Sequence, residues 1–262
     1  MIRTSGRLGW LPKSLVLALA ASLTVFAIAC GSDDDEEDET PTGGATSAAT
    51  TAATQPAGGD NVLTIKKGES IKIGISTTLT TENAELGLPI EAAAKFGLAT
   101  KADIKGFKVE SVSEDDICSG PGSVTAAEKL ISEDVAAVIG PMCSGGAVAA
   151  IPVYGEDGVL VVSASATGVA VTQQNGKSFF RIAWNDATQG AEMAKYAYTT
   201  LNKKNAVLVN DQSVYGKGLM DVFKKSFTEA GGTVAGEEAV TGGEKDFSPI
   251  VTKIKGQNPG SV

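Results

Sequence analysis

From near Asn61 onward, short apolar runs alternate repeatedly with helical stretches, and this pattern limits the folds that the chain can adopt. The runs at 135–139 and 159–162 are continuously apolar, which is typical of strands that are buried on both faces. Strands of this kind, separated by helices, form parallel sheets with helices on both sides. The sequence therefore predicts an α/β fold whose ligands bind beyond the carboxyl ends of the strands.

Local signals predict where several elements begin. A first strand is expected at 71–75, followed by a helix near 89–100. Ser123 is expected to cap the next helix, because apolar residues follow it at helical spacing. Ser144 is expected to open a helix of small residues directly after a strand that ends at Gly140. A second α/β unit is expected to begin after residue 183, with strands at 206–209 and 234–240 and a helix at 217–230.

The N-terminus has the pattern of an export signal. Three basic residues precede an uncharged stretch at 15–29, which is too short for a transmembrane helix of about 20 apolar residues. Small residues then lead into Cys30, and this junction resembles the lipobox of bacterial lipoproteins. We therefore expect residues 1–29 to be a lipoprotein signal peptide and Cys30 to carry the lipid. An ordinary secretory signal or a short membrane anchor is the alternative interpretation.

Residues 30–60 are predicted to be a disordered tether. They contain seven consecutive acidic residues at 33–39, followed by a Thr/Ala/Gly/Pro stretch without large apolar side chains. Outside the signal segment and this acidic run, the chain has 19 basic and 24 acidic side chains, a net charge of −5. No basic patch therefore points to a nucleic-acid partner.

The histidine and cysteine content restricts the chemistry. The chain has no histidine, which excludes histidine-based acid–base catalysis and His-ligated zinc. With Cys30 assigned to lipid, Cys118 and Cys143 are left in an oxidising compartment, where pairing is the default. We expect no metal and no cofactor.

Several short motifs together resemble one family. They occur in the family's order at 71–75, 114–118, 139–144, 163–167, 180–181, 215–218 and 243–248. Through them, residues 69–262 resemble the branched-chain amino-acid binding proteins of bacterial ABC transporters, which have the type I periplasmic binding fold.

This resemblance implies a two-lobed α/β protein with doubly wound parallel sheets. The first lobe would comprise residues 61–184 and the second residues 185–262, and the second is expected to be incomplete because the chain stops where another strand should begin. The implied function is that of an extracytoplasmic solute-binding lipoprotein, monomeric and anchored at the outer face of the cytoplasmic membrane. The lobes would close around a small amino-acid-like ligand, most simply a branched-chain amino acid, and deliver it to an ABC permease.

The resemblance also implies a set of ligand-binding residues. In the first lobe, Ser144, Ser165, Ala166 and Thr167 would hold the carboxylate of the ligand, with hydroxyl groups beside helix N-termini. Tyr215 would face the ligand from the second lobe, and Leu86 occupies a loop position where the family often has an aromatic residue. Weaker candidates for lobe contacts are Asp186 and Asp211. The Cys118–Cys143 bond would hold the loop that carries Ser144.

Simpler roles exist for the same residues. Ser144 would then be a helix cap, Ser165 and Thr167 would stabilise a turn, and Tyr215 would be an exposed aromatic residue in a turn. Two other functions share the expected fold, namely a ligand-sensing receptor component and an amide- or urea-binding member of the family. An enzyme is not expected, since the chain has neither a Gly-x-Ser-x-Gly elbow nor a Walker-type phosphate loop.

Overall fold

A computed structural model describes residues 63–101, 103–173, 178–257 and 259–260 of the chain. The predicted signal peptide, the tether and the lipidation site at Cys30 lie outside these residues and stay predictions. Over the described residues, no helix combines the length and apolar character needed to span a bilayer.

Five parallel strands form the first sheet, as the apolar runs predicted. They are β1 (Ile71–Thr77), β2 (Val109–Asp115), β3 (Ala137–Ile139), β4 (Leu160–Ser163) and β5 (Phe179–Arg181). Their order is β2-β1-β3-β4-β5. The chain steps from β1 outward to β2 and then returns past β1 to β3, so the strand order reverses between β1 and β3. In open α/β sheets, ligands bind at such a reversal, beyond the carboxyl ends of the strands.

Helices connect these strands and bury their apolar faces against the sheet. They are α1 (Ala84–Ala99), α2 (Gly120–Ser132) and α3 (Ser144–Glu156), and a short 3₁₀ helix spans Val169–Thr172. The core joins α2 and α3 to the sheet through fully buried side chains, including Leu130, Val138, Tyr154 and Val161. Burial of these side chains fixes the ends of β1, β3 and β4 relative to one another.

Two glycines permit close backbone contacts at the carboxyl end of β1. A side chain on Gly87 would place its Cβ 1.8 Å from the carbonyl oxygen of Thr78, so α1 lies directly against the turn after β1. Gly140 has a φ of +131°, and a Cβ there would lie 2.0 Å from the carbonyl oxygen of Ser76. Only glycine fits at these two positions. The turns after β1 and β3 therefore pack tightly at the reversal point.

A second, two-stranded parallel sheet follows the first. It contains β6 (Asn205–Asn210) and β7 (Thr233–Ala239), with helices α4 (Asp186–Lys195), α5 (Val214–Glu229) and α6 (Ser248–Gly256) around it. One π-helical turn, Tyr196–Thr200, extends α4. The rings of Phe223 and Phe227 stack with centroids 5.3 Å apart and anchor α5 to this sheet.

Two predicted helix starts are wrong. Ser119, not Ser123, caps α2, and its hydroxyl accepts a hydrogen bond from the Gly122 backbone N–H at 3.0 Å. Ser123 is instead a fully buried residue within the helix. Helix α1 begins at Ala84, so Leu86 lies in its first turn and not in a loop.

Candidate functional site

Serine hydroxyls join the turns that follow β3 and β4. Ser144 is the first residue of α3 and is only 3% exposed, and its Oγ accepts a hydrogen bond from the Gly168 backbone N–H at 3.0 Å. Ser165 Oγ donates to the carbonyl oxygen of Met142 at 2.8 Å. Both residues had been selected from the sequence, and the structure brings them together at the carboxyl edge of the sheet.

Ser163 contributes a third link that sequence reasoning did not single out. It is the last residue of β4 and is fully buried. Its hydroxyl donates to the carbonyl oxygen of Pro141 at 2.6 Å and accepts from the Ala166 N–H at 2.9 Å. A hydroxyl at the end of an otherwise apolar strand was the signal that could have identified it, because a buried hydroxyl needs a partner.

The N-terminus of α3 has no side-chain cap. Its N-cap residue, Cys143, makes no side-chain hydrogen bond to the helix, whereas Ser119 and Ser213 cap α2 and α5 through their hydroxyls. The backbone N–H groups of the first turn carry the positive end of the helix dipole. The Ser144 hydroxyl, which accepts from Gly168, still has its own proton to donate. This arrangement suits a carboxylate.

The backbone of the loop that carries Ala166 and Thr167 is held by hydrogen bonds to other residues of the protein. Ala166 is fully buried, and its N–H is already bonded to Ser163. Its carbonyl oxygen accepts from the guanidinium of Arg181 at 3.1 Å, and that of Gly168 accepts from the same Nη1 at 3.0 Å. Thr167 lies between them and is partly exposed. Ala166 therefore positions the loop, while Thr167 is the residue of this pair that can face a ligand.

A buried carboxylate organises the reversal point. Asp116 follows β2 and is fully buried. Its Oδ1 accepts from the Thr78 hydroxyl at 2.8 Å and from the Cys118 N–H at 3.0 Å, and its Oδ2 lies 3.5 Å from the Met142 nitrogen and 3.5 Å from Ser76 Oγ. The turns after β1, β2 and β3 therefore share one acceptor. Asp116 is a residue that sequence reasoning did not assign to the site.

A disulfide braces two of these turns. The structure joins Cys118, after β2, to Cys143, directly before α3, with their Cα atoms 5.3 Å apart. Ile117 and Cys118 both have positive φ angles, of 44° and 55°. Non-glycine residues rarely adopt this conformation, so the disulfide and Asp116 hold the turn in a geometry that it would not adopt alone.

The other predicted site residues, Tyr215, Leu86 and Asp211, lie outside the turns after β3 and β4. Tyr215 lies in the first turn of α5 and is 40% exposed. A Cβ built on Gly145 would lie 3.4 Å from a methyl group of the neighbouring Val214, so the N-termini of α3 and α5 approach each other. Leu86 is 64% exposed, so it does not line an enclosed pocket. Asp211 accepts hydrogen bonds from the N–H and the hydroxyl of Ser213 and stabilises the turn before α5.

Asp186 is an unusual group at the start of α4. It is fully buried, and neither carboxylate oxygen has a hydrogen-bond partner. Burial raises the pKa of this carboxyl above its ordinary value, and the nearby Thr167 hydroxyl and Arg181 guanidinium oppose part of that rise. Burial also lowers the pKa of Arg181, against the effect of the Asp186 charge.

An apolar cleft lies elsewhere, against the second sheet. It has a volume of about 490 Å³ and is lined mainly by apolar side chains, among them Met193, Val209, Leu219 and Phe223. Parallel sheets are normally covered on both faces, so an apolar face of this kind is typical of a packing surface. Among the described residues, no group of three or more Asp, Glu or Cys side chains could hold a metal ion.

Comparison with known proteins identifies a single family. A family profile described as "Periplasmic binding protein" matches residues 70–262. The Leu/Ile/Val-binding protein homolog 3 of Brucella melitensis is 34% identical over 188 residues, which cover 71% of this chain and 51% of the relative. The chain thus spans about half the length of the curated relatives that it matches.

Solved structures give the same result. The crystal structure of a leucine binding protein from Thermotoga maritima has a TM-score of 0.68 and 30% identity, and covers 72% of this chain and 54% of that one. A branched-chain amino acid transporter substrate binding protein from Streptococcus pneumoniae, solved in complex with isoleucine, has a TM-score of 0.65 and 28% identity. That match covers 72% of this chain and 54% of the other.

Proposed function

This chain belongs to the periplasmic binding protein family, and from that membership we propose that it binds a small carboxylate solute for a membrane transporter. The ligand's carboxylate would bind at the N-terminus of α3, where Ser144 and the first backbone N–H groups are available as donors. The observation that carries this proposal is the hydroxyl-bonded junction of the turns after β3 and β4, which lies next to the reversal of strand order between β1 and β3.

We propose a branched-chain amino acid as the ligand. The named relatives include Leu/Ile/Val-binding proteins, and one matching structure contains isoleucine. In this assignment Ser144 and Thr167 contribute hydroxyl donors, while Ala166 supports the loop from behind. The Ser165 hydroxyl donates its proton to the Met142 carbonyl, so Ser165 would offer only its oxygen, as an acceptor. Tyr215 would close on the ligand from α5, whose N-terminus already lies beside that of α3.

The wider role follows from the same premise. Residues 61–184 would form one lobe and residues 185–262 would belong to the other, in line with the two separate sheets. A hinge motion of the lobes would enclose the solute and present it to an ABC permease. We place the protein outside the cytoplasm, as a monomer held to the membrane by a lipid on Cys30. The amide- or urea-binding and receptor roles are the alternatives.

Isothermal titration calorimetry of the full-length protein tests the ligand class. The panel would be L-leucine, L-isoleucine, L-valine, acetamide, urea and butyrate. We expect saturable binding of at least one of the three amino acids, and Ser144→Ala should weaken it about tenfold, the loss of one hydrogen bond to a charged group. Ser132→Ala is the matched control, because Ser132 lies at the far end of α2 and is exposed.

Each other result has a distinct meaning. Binding of acetamide or urea alone would transfer the protein to the amide-binding alternative. Equal affinity of wild type and Ser144→Ala for isoleucine would refute the α3 site while leaving the ligand class intact. If none of the compounds gives a binding heat, a branched-chain amino acid is rejected as the ligand.

A further inference from the structure

Three consecutive carbonyl oxygens in the loop that carries Thr167 each accept a hydrogen bond from Arg181 or Asp186, and that of Gly168 also accepts one from the Val171 N–H at 3.2 Å. The carbonyls of Ala166 and Gly168 both accept from Nη1 of Arg181, at 3.1 and 3.0 Å. The carbonyl of Thr167, between them, accepts from the backbone N–H of Asp186 at 2.9 Å. Arg181 and Asp186 therefore fix the backbone on both sides of the candidate ligand residue Thr167.

Arg181 and Asp186 are the two ends of a single segment. Arg181 is the last residue of β5, and Asp186 is the first residue of α4. Between them, residues 182–185 carry the chain from the first sheet to the elements of the second. Both ends of this crossover therefore bond to the same three-residue stretch of the ligand loop.

We infer that Arg181 is a positioning residue that fixes the loop around Thr167 and ties it to the crossover between the two sheets. A movement of Thr167 on ligand binding then displaces the crossover, and the orientation of α4 changes with it. The inference deepens the proposed function and rests on it for the identity of the ligand, whereas the tie itself is a property of the free protein.

The geometry requires a guanidinium at this position. One arm of Arg181 bridges two carbonyls, and its second arm, Nη2, donates to the Thr172 hydroxyl at 3.0 Å. A lysine would retain the positive charge beside Asp186, but its ammonium is a compact point donor without a planar fork. Arg181→Lys therefore separates the geometric role from the charge. Thr172→Ala, the matched control, removes the Nη2 bond and a 3.5 Å hydrogen bond to the Val169 carbonyl, and leaves both carbonyl bonds of Nη1 in place.

Hydrogen exchange of the free full-length protein tests the tie without any ligand. The informative amides are those of Gly168 and Asp186, which bond to Ser144 Oγ and to the Thr167 carbonyl. We expect Arg181→Lys to accelerate exchange at both amides by about tenfold, and Thr172→Ala to leave both near the wild-type rates. Wild-type rates in Arg181→Lys would overturn the inference.

A measurement on the wild-type protein tests the inference even if Arg181→Lys does not fold. If one opening event releases the loop from the crossover, the protection factors of the Gly168 and Asp186 amides should agree within about threefold. Protection factors that differ by more than about tenfold would show independent openings and would refute the tie.

The effect of ligand binding on the crossover is measured by the fluorescence of Trp184, which lies in the crossover and is 79% exposed. The sequence has two tryptophans, so a Trp10→Phe background leaves Trp184 as its single tryptophan, which can be excited selectively over the four tyrosines. Added L-isoleucine should shift the emission of this protein, and Arg181→Lys should raise the apparent Kd about tenfold, while Thr172→Ala should not. An unchanged Kd in Arg181→Lys would contradict the inference. If isoleucine binds neither protein, the proposed ligand fails, and the exchange rates alone decide the inference.

Discussion

Replacement of Asp116 by alanine tests whether one buried carboxylate holds the reversal point together. The change leaves the Thr78 hydroxyl and the Cys118 N–H without their shared acceptor, in a site with no access to solvent. It also releases the turn containing Ile117 and Cys118, whose positive φ angles are sustained by the surrounding contacts. The expected result is a loss of stability together with a looser ligand site.

The size of the loss follows from the two short hydrogen bonds. A hydrogen bond to a charged group contributes about 1.5–3 kcal/mol, so two such bonds set an upper range of about 3–6 kcal/mol. Removal of a buried carboxylate recovers part of its desolvation cost, which moves the expected loss to the lower end, about 3 kcal/mol. For a chain of this size, that corresponds to a fall in Tm of about 6–12 °C. Asp116→Asn should lose less, because its amide oxygen can still accept both bonds.

Urea denaturation of the full-length variants measures this loss directly. Asp157→Ala is the matched control, since Asp157 is exposed at the end of α3 and should change the free energy of unfolding by less than about 0.5 kcal/mol. If Asp116→Ala unfolds within that same margin of wild type, the carboxylate does not organise the three turns and the account of the reversal point is wrong.

Three further predictions concern the core, the pH dependence and the disulfide. Leu130→Ala removes a fully buried side chain and should cost about 2–5 kcal/mol of unfolding free energy, whereas Leu201→Ala, at a half-exposed position, should cost far less; chemical denaturation compares the two. Burial raises the pKa of Asp186, so the folded protein binds more protons than the unfolded chain, and stability falls as the pH rises above the ordinary carboxyl pKa of about 4. Asp186→Asn should therefore exceed wild type in Tm at pH 7 and lose that advantage near pH 3.5, and a gap independent of pH would contradict the assignment. Removal of the disulfide by the double change Cys118→Ser and Cys143→Ser opens a loop with a sequence separation of 25 and should cost about 3 kcal/mol, whereas an unchanged denaturation midpoint would exclude a stabilising role.

The sequence predicted the parallel α/β architecture because the strands are short, continuously apolar and separated by helices. It failed at two helix starts for local reasons. Gly120, Pro121 and Gly122 are weak helix formers, so the start of α2 looked like a loop, although Ser119 caps it and proline is tolerated in a first turn. Pro89 suggested a helix start, but it lies within α1, which begins at Ala84.

Ser144 and Ser165 were selected through the family resemblance, supported by their positions directly after two predicted strands, and their contact with a ligand stays a prediction. The residues that hold the loops of these serines were not found, because their partners are distant in the sequence. Asp116 bonds to Thr78 across 38 positions, and Arg181 reaches back 15 and 13 positions to Ala166 and Gly168. Such contacts depend on the packed sheet and leave no periodic signal in the chain.

A crystal structure of the full-length protein with L-isoleucine would show where the ligand's carboxylate binds. We expect the carboxylate at the N-terminus of α3, within about 3 Å of Ser144 Oγ and of a backbone nitrogen in the first turn. Isoleucine bound in the apolar cleft beside Leu219 and Phe223, with α3 unoccupied, would contradict this expectation.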